Sequence, residues 1–294
     1  MGSQTHFAMT DAPDISALRR FLLAGRNGDG GWGYYPGKAS RLEPTCWALL
    51  ALSDVDPGVL TTWPAVNGLL YEHRGGDVNF AFHALALLTL TARGVEHASG
   101  NATLATKLEA AKGIKLDQAT INRQNNQLQG WSWIAGTFSW VEPTAWALLA
   151  LKKRAAAGQR IDSARLSEAE ALLVDRCCEE GGWNYGNGNM LGKELRPYVP
   201  TTAVALLALQ KPEQPAAVVV EKSLAYLDRA ASSEPSAVAL SLSVMALRAH
   251  AHRADAVRAL LATHSDRAID LGHQLGVAMA LYALRAERVD AFAL

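Results

Sequence analysis

Cysteine is scarce. The chain of 294 residues has three, Cys46, Cys177 and Cys178, an odd number with two of them adjacent. Adjacent cysteines seldom bond each other, so no disulfide framework is legible and a reducing, cytoplasmic setting is expected. Long apolar runs are missing as well: no stretch of about 18 uninterrupted apolar residues occurs, which excludes an ordinary membrane-spanning helix. Met1 to Thr10 has no basic segment followed by an apolar one, so it does not read as a signal peptide. Neither sign of charge is in excess, with Lys plus Arg and Asp plus Glu at 28 each. A neutral chain has no global field to draw in nucleic acid, and no nucleic-acid partner is expected. There is no Asp-rich magnesium motif, no phosphate loop and no nucleophile elbow.

What the chain does have is an internal repeat. Residues 43–52 read EPTCWALLAL and residues 142–151 read EPTAWALLAL, identical at nine of ten positions. PTTAVALLAL at 200–209 and EPSAVALSL at 234–242 continue the pattern, and NFAFHALALLTL at 79–90 and LGVAMALYAL at 275–284 are weaker copies. Ala and Leu are strong helix formers, and a proline at the first turn costs nothing because that N–H is unpaired anyway. Segments apolar on nearly every face belong to helices buried on both sides. Between them lie mixed segments at 14–25, 62–72, 103–113, 163–178, 216–230 and 254–264 that carry charges at helical spacing. Six apolar helices alternating with six amphipathic ones predict an all-α chain. A closed ring of hairpins and an open solenoid both satisfy that alternation. Residues 1–13 are expected as a disordered N-terminal segment and 14–294 as one domain.

Three glycine–tryptophan loops precede the strongest apolar helices: Gly30-Gly31-Trp32-Gly33-Tyr34, Gly130-Trp131-Ser132-Trp133 and Gly181-Gly182-Trp183-Asn184-Tyr185. The run from Phe21-Leu22 through Arg26 to Gly30-Gly31-Trp32 resembles the QW repeat of squalene–hopene cyclases, with Arg26 where that family has glutamine. Leu172-Leu173, Cys177 and Gly181-Gly182-Trp183 repeat the register. The chain is thus similar to the terpene cyclase and prenyltransferase repeat family. That resemblance implies an (α/α)6 toroid, six hairpins closed into a double-walled ring, with apolar helices inside.

The same resemblance points to candidate chemistry. Class II terpene cyclases begin with a protonated Asp of an Asp-x-Asp-Asp motif at the start of an inner helix. Aligned on that motif, Glu142 takes the proton-donating position, and Glu43 takes it by repeat. Pro143 and Pro44 replace the following Asp, so the motif is incomplete. Asp77-Val78-Asn79 is nearest to it in spelling, which makes Asp77 a third candidate. An acid before Pro at a helix start is also ordinary dipole complementation. A proton donor needs the opposite environment, a carboxyl kept neutral by an apolar cavity.

Gly37-Lys38-x-x-Arg41 and Gly192-Lys193-x-x-Arg196 repeat each other before two apolar helices. Lys38, Arg41, Lys193 and Arg196 would grip an anionic head group, or Arg41 and Arg196 would pair with Glu43 and Glu194 to hold the loops. Tyr34, Trp133, Trp140, Tyr185 and Tyr198 are cavity candidates, since ring faces stabilise cations. Trp32, Trp131 and Trp183 read as braces between hairpins. His83, on the second apolar helix, is a candidate contact or a bonded core residue. Asp175-Arg176-Cys177 has the spelling of a zinc pair, but the position of a third ligand holds Val199-Pro200-Thr201, so no metal is expected; no cofactor is expected either.

Three functions remain open from the residues: an acid-initiated isoprenoid-converting enzyme of class II terpene cyclase type without the standard motif, a non-catalytic toroid that binds a lipid or a partner, and a carbohydrate-active toroid using two glutamates. In the first two the partner is a small hydrophobic molecule, and peripheral contact with a membrane is compatible with both. Glu43 and Glu142, two hairpins apart on the ring, are expected to be widely separated. The oligomeric state is not legible in the sequence.

Overall fold

The computed structural model describes residues 15–95, 100–117, 123–285 and 291–294. The segment expected to be disordered, 1–13, lies outside them. Twelve helices and two small hairpins are present among the described residues. In chain order the helices are α1 (Ile15–Ala24), α2 (Leu42–Ala51), α3 (Gly58–Thr61), α4 (Phe80–Ala92), α5 (Asn101–Ala110) and α6 (Val141–Ala156). They continue with α7 (Ser163–Asp175), α8 (Val199–Ala208), α9 (Ala216–Ala231), α10 (Ala237–Ala249), α11 (Asp255–Asp270) and α12 (Gln274–Arg285).

The even-numbered helices are the apolar repeats, and each packs on the next: α2 on α4, α4 on α6, α6 on α8, α8 on α10, α10 on α12 and α12 back on α2. The inner wall is therefore a closed ring. Every residue of α2 except Glu43 is buried, as expected of a helix with protein on both sides. The outer helices bury one stripe each. On α9 the stripe is Ala216, Val220, Ser223, Leu224, Leu227 and Ala231, the spacing of one helical face. α5 lies against α4 and α6, α9 against α8 and α10, and α11 against α10 and α12.

The helix expected over 62–72 is not formed. The chain there makes the single turn α3 and a two-stranded antiparallel hairpin, β1 (Ala65–Val66) and β2 (Leu69–Leu70). Asn67 and Gly68 at its tip have φ of 50° and 78°. Asn-Gly is the pair that best tolerates positive φ at both central positions of such a turn. A second hairpin, β3 (Asn189–Met190) and β4 (Lys193–Glu194), turns the same way through Leu191 and Gly192.

Hydrogen bonds stitch the ring at both ends. At the N-terminal end four of the six inner helices, α2, α4, α6 and α12, donate their first free N–H to the loop of the next hairpin. Leu42 donates to the Glu72 carbonyl, Phe80 to Trp133, Val141 to Tyr185 and Gln274 to Tyr34, each at 2.9 Å. These are orphan donors that would otherwise need water or a cap. At the other end, cations cap the carbonyls of neighbouring inner helices, where the helix dipole is negative. Arg285 donates to the Ala51 carbonyl at 2.8 Å, Lys152 to Ala208 at 2.8 Å, and Arg248 to Ala283 at 3.1 Å.

The Gly-Trp loops and the Pro-Thr helix starts are two halves of one joint. The backbone N–H of Trp32, Trp131 and Trp183 donates to the hydroxyl of Thr45, Thr144 and Thr202 respectively, each at 2.9 Å. The three indole N–H groups donate to carbonyls of the preceding outer helix, those of Leu22, Leu108 and Leu173. All three tryptophans are fully buried, so they brace hairpins and do not face a ligand.

Candidate active site

The N-terminal ends of the inner helices form one mouth of the ring, and two glutamates stand in it. Glu43 and Glu142 occupy the second position of α2 and α6. Each is walled in by protein while its residue keeps partial access to solvent. Burial pushes the carboxyl of Glu43 up to about 7; the Tyr34 hydrogen bond pulls against that shift, and the charge of Glu72 adds to it. Burial likewise raises Glu142 to about 7, helped by the charge of Glu43 and opposed by a hydrogen bond with Trp146. The low dielectric of the mouth thus overrides the helix dipole, which favours the ionised form at these positions. Each carboxyl keeps its proton to a higher pH than an exposed glutamate does, and an ionised Glu43 favours the neutral form of Glu142.

Glu43 and Glu142 are close enough for the charge of one to raise the pKa of the other. Trp47 and Trp146, each one turn below its glutamate, meet across the axis with ring centroids 6.1 Å apart at 72°. Tyr282 of α12 and Phe292 join them. Phe292 lies 5.3 Å from Trp47, 5.8 Å from Trp146 and 5.4 Å from Tyr282. Below the glutamates the axis is packed shut by aromatic rings. Sequence reasoning overlooked this layer. Its signal was the shared Glu-Pro-Thr-x-Trp spacing, which puts acid and indole on one helical face.

Beside the mouth, toward α8, lies a groove of about 670 Å³. Phe138, Trp140, Tyr185, Leu195 and Tyr198 supply its apolar wall and Arg196 a cation. Phe138 and Trp140 have centroids 4.9 Å apart, and Tyr185 and Tyr198 5.6 Å. Burial raises the pKa of Tyr185, and the charge of Glu142 adds to the shift. Glu142 does not itself line the groove, but its neighbour Val141 donates to the Tyr185 carbonyl at 2.9 Å. On the opposite flank a cavity of about 490 Å³ is lined by Tyr34, Tyr35, Lys38, Arg41 and His273. Mostly apolar concavities with a few polar groups are the usual form of small-molecule sites.

The remaining candidates fall elsewhere. His83 is fully buried, its Nδ1 accepting the Leu70 N–H at 3.1 Å and its Nε2 meeting the Leu104 carbonyl at 3.1 Å. It is a fixed part of the wall between α4 and α5. Asp77 is exposed and offers only its carbonyl, to the N–H of Glu72. Its neighbour Asn79 is the N-cap of α4, accepting from Ala81 and Phe82. Trp133 packs edge-on to Phe82 at 6.4 Å. Lys193 sits exposed on β4 and lines neither cavity described above. Arg41 pairs with Glu72 at 3.2 Å and His73 at 2.8 Å rather than with Glu43, and Glu194 is paired with Arg123 rather than Arg196. Asp175 is occupied by Arg176 and by the N–H of Asn125.

No helix among the described residues is long and apolar enough to cross a membrane. No family model matches the sequence, and no curated protein matches it. Among solved structures the fold is similar to the type II terpene cyclase MstE from Scytonema in its apo form. That match has 16% sequence identity, a TM-score of 0.55, and coverage of 92% of this chain and 96% of the other. A tyrosine-to-phenylalanine variant of the same enzyme matches at 18% identity and a TM-score of 0.51, covering 92% of this chain and 94% of the other.

Proposed function

We propose that the chain is a type II terpene cyclase-like protein of the (α/α)6 toroid class, a cytoplasmic enzyme that converts a small isoprenoid by acid-initiated chemistry. The observation that carries this reading is the place of Glu142, walled in at the start of α6. Its neighbour Val141 donates at 2.9 Å to the carbonyl of Tyr185, a wall residue of the apolar, aromatic-lined groove; burial raises the pKa of Glu142. The likeness to MstE supports the fold behind it. Glu142 gives up its O–H proton to the substrate and becomes a carboxylate; the new cation faces the rings of Trp140, Tyr185 and Trp146, whose negative faces favour it. Loss of a proton from the product carbon skeleton restores the neutral acid. Glu43 and Tyr34 set the local charge, because an ionised Glu43 holds Glu142 in its neutral form. Arg196 at the groove's edge binds an anionic head group, and Lys38 and Arg41 do the same on the other flank.

The test is product analysis by mass spectrometry after incubation with squalene, farnesyl diphosphate and geranylgeranyl diphosphate. A cyclic product that disappears in Glu142→Gln and survives in part in Glu43→Gln is the expected result. A folded protein that converts none of them supports a second reading, an isoprenoid-binding toroid without catalysis. The aromatic packing of the ring axis below the glutamates favours that alternative, since it leaves the mouth shallow.

A further inference from the structure

The groove beside the mouth is lined by more than hydrocarbon. Five of its lining side chains carry polar groups that make no hydrogen bond to any described residue: the indole N–H of Trp140, the hydroxyls of Tyr185 and Tyr198, the amide of Asn187 and the carboxylate of Asp117. The rings of the same groove are open, with Tyr185 46% exposed, Tyr198 50% and Phe138 41%. Clustered apolar exposure of this kind marks a surface that something covers. The backbone beneath these groups is held in place. Buried Asn184 donates to the Asn187 carbonyl at 2.6 Å and accepts the Gly186 N–H at 3.0 Å, which fixes the loop that presents Tyr185 and Asn187. Buried Asn126 donates to the Asp117 carbonyl at 2.8 Å. A Cβ on Gly186 would lie 3.2 Å from Cζ3 and 3.3 Å from Cε3 of Trp140. The loop therefore packs on the six-membered ring of the indole, away from the edge that bears the N–H.

Two kinds of recognition coincide here. The ring faces take an apolar surface, while the free groups ask for a partner that both accepts and donates hydrogen bonds. A bare hydrocarbon meets the first demand and strips water from the polar groups without replacing it, which costs binding energy. A sugar ring meets both. Its C–H faces pack on aromatic rings, and each of its hydroxyls donates and accepts. We propose that the groove contains a subsite for a pyranose ring, so that the ligand is an isoprenoid bearing a sugar. Tyr185 and Tyr198 give the stacking surface, the Trp140 N–H donates, Asp117 accepts and Asn187 does both. Arg196 remains for the anionic group assigned to it above. The inference rests on the groove being the ligand site of that reading, but it concerns what the groove recognises and not the acid step.

The test is calorimetric titration of the full chain with geraniol and with its β-glucoside, β-galactoside and β-mannoside, which share one hydrocarbon and differ in the head. Two net hydrogen bonds correspond to about a tenfold gain in affinity. The expected result is that at least one glycoside binds about tenfold more tightly than geraniol. Asp117→Leu and Asn187→Leu, checked for folding by circular dichroism, are then expected to lose most of that preference while geraniol binding stays the same. Trp140→Phe, which keeps a ring and removes the N–H, weakens the glycoside alone. The proposal is overturned if no glycoside binds more tightly than geraniol, or if the preference survives in both leucine variants. Failure of all four probes to bind overturns it as well. A glycoside preference that depends on Asp117 and Asn187, in a protein that converts no isoprenoid, upholds the sugar subsite and removes the cyclase reading, so the two stand or fall separately.

Discussion

The hydroxyl of Tyr34 donates a 2.6 Å hydrogen bond to Oε2 of Glu43. It is a favourable bond to the ionised form and so works against the burial that keeps Glu43 neutral. Tyr34→Phe removes the donor while leaving the ring, so the titration midpoint of Glu43 moves above about 7. A more fully protonated Glu43 exerts less repulsion on Glu142, whose midpoint therefore falls. Infrared titration of the protonated carboxyl band, with Glu142→Gln to isolate each group, reads both shifts. Midpoints moving together in the same direction would contradict the coupling.

The same two glutamates set a pH dependence of stability. Their folded pKa, about 7 in each case, lies above the 4.5 of the free side chain. Between those values the folded state binds more protons than the unfolded one, so stability falls as pH rises from about 4.5 to about 7 and then levels off. Below that window both states are protonated and the penalty is absent. Replacing both glutamates with Gln flattens the slope and raises stability at pH 8 by roughly 1–3 kcal/mol. Denaturant melts at several pH values measure it, and a slope retained in the double variant assigns it to other groups.

How far the sequence reached depends on which residues carried the signal. The inner helices were legible because Ala-Leu repeats bounded by Pro-Thr have one stable outcome, a helix buried on both sides. Glu43 and Glu142 were legible as a pair because the repeat is nearly exact. The meeting of Trp47 and Trp146 was not, since a repeat fixes a position along each helix and says nothing about the diameter of the ring. The direction of Arg41 was equally hidden: its partner Glu72 is 31 residues on and comes near only through the stitching of one hairpin to the next. Phe292 gave no local sign at all. Residues 65–70 form a hairpin where a helix was expected because Asn67-Gly68 is a stronger turn signal than the charge spacing around it is a helix signal.

That hairpin yields a prediction of its own. Gly68 has φ of 78°, and a Cβ there would lie 3.2 Å from atoms of the Lys107 and Thr103 side chains, both able to give way. Backbone strain therefore dominates, and Gly68→Ala costs roughly 1–2 kcal/mol. The loss concentrates in the hairpin: amide exchange at 65–71 accelerates more than in α4. Uniform acceleration across the ring would show that the hairpin is instead part of the global folding unit.

The joint between Gly-Trp loop and Pro-Thr helix allows the sharpest test of why these motifs occur together. A Cβ on Gly130 would fall 2.2 Å from Oγ1 and 2.8 Å from Cγ2 of Thr144, the hydroxyl that accepts the Trp131 N–H. Gly130→Ala must displace that side chain and lose its hydrogen bond, for roughly 2–4 kcal/mol of destabilisation. Gly28→Ala, with nothing within 4 Å, serves as the control and changes stability by less than about 0.5 kcal/mol. Thr144→Ala alone forfeits the bond and costs about 1–2 kcal/mol. If the glycine is required by the threonine, the double variant is much less unstable than the two single losses added, because it removes the two nearest atoms, Oγ1 and Cγ2, and leaves the Thr144 Cβ 3.0 Å away. A coupling energy of about 1–3 kcal/mol in that cycle would make the two motifs one structural unit. Additive losses would mean that Gly130 is needed for its backbone, and that the Gly-Trp and Pro-Thr signatures recur for independent reasons.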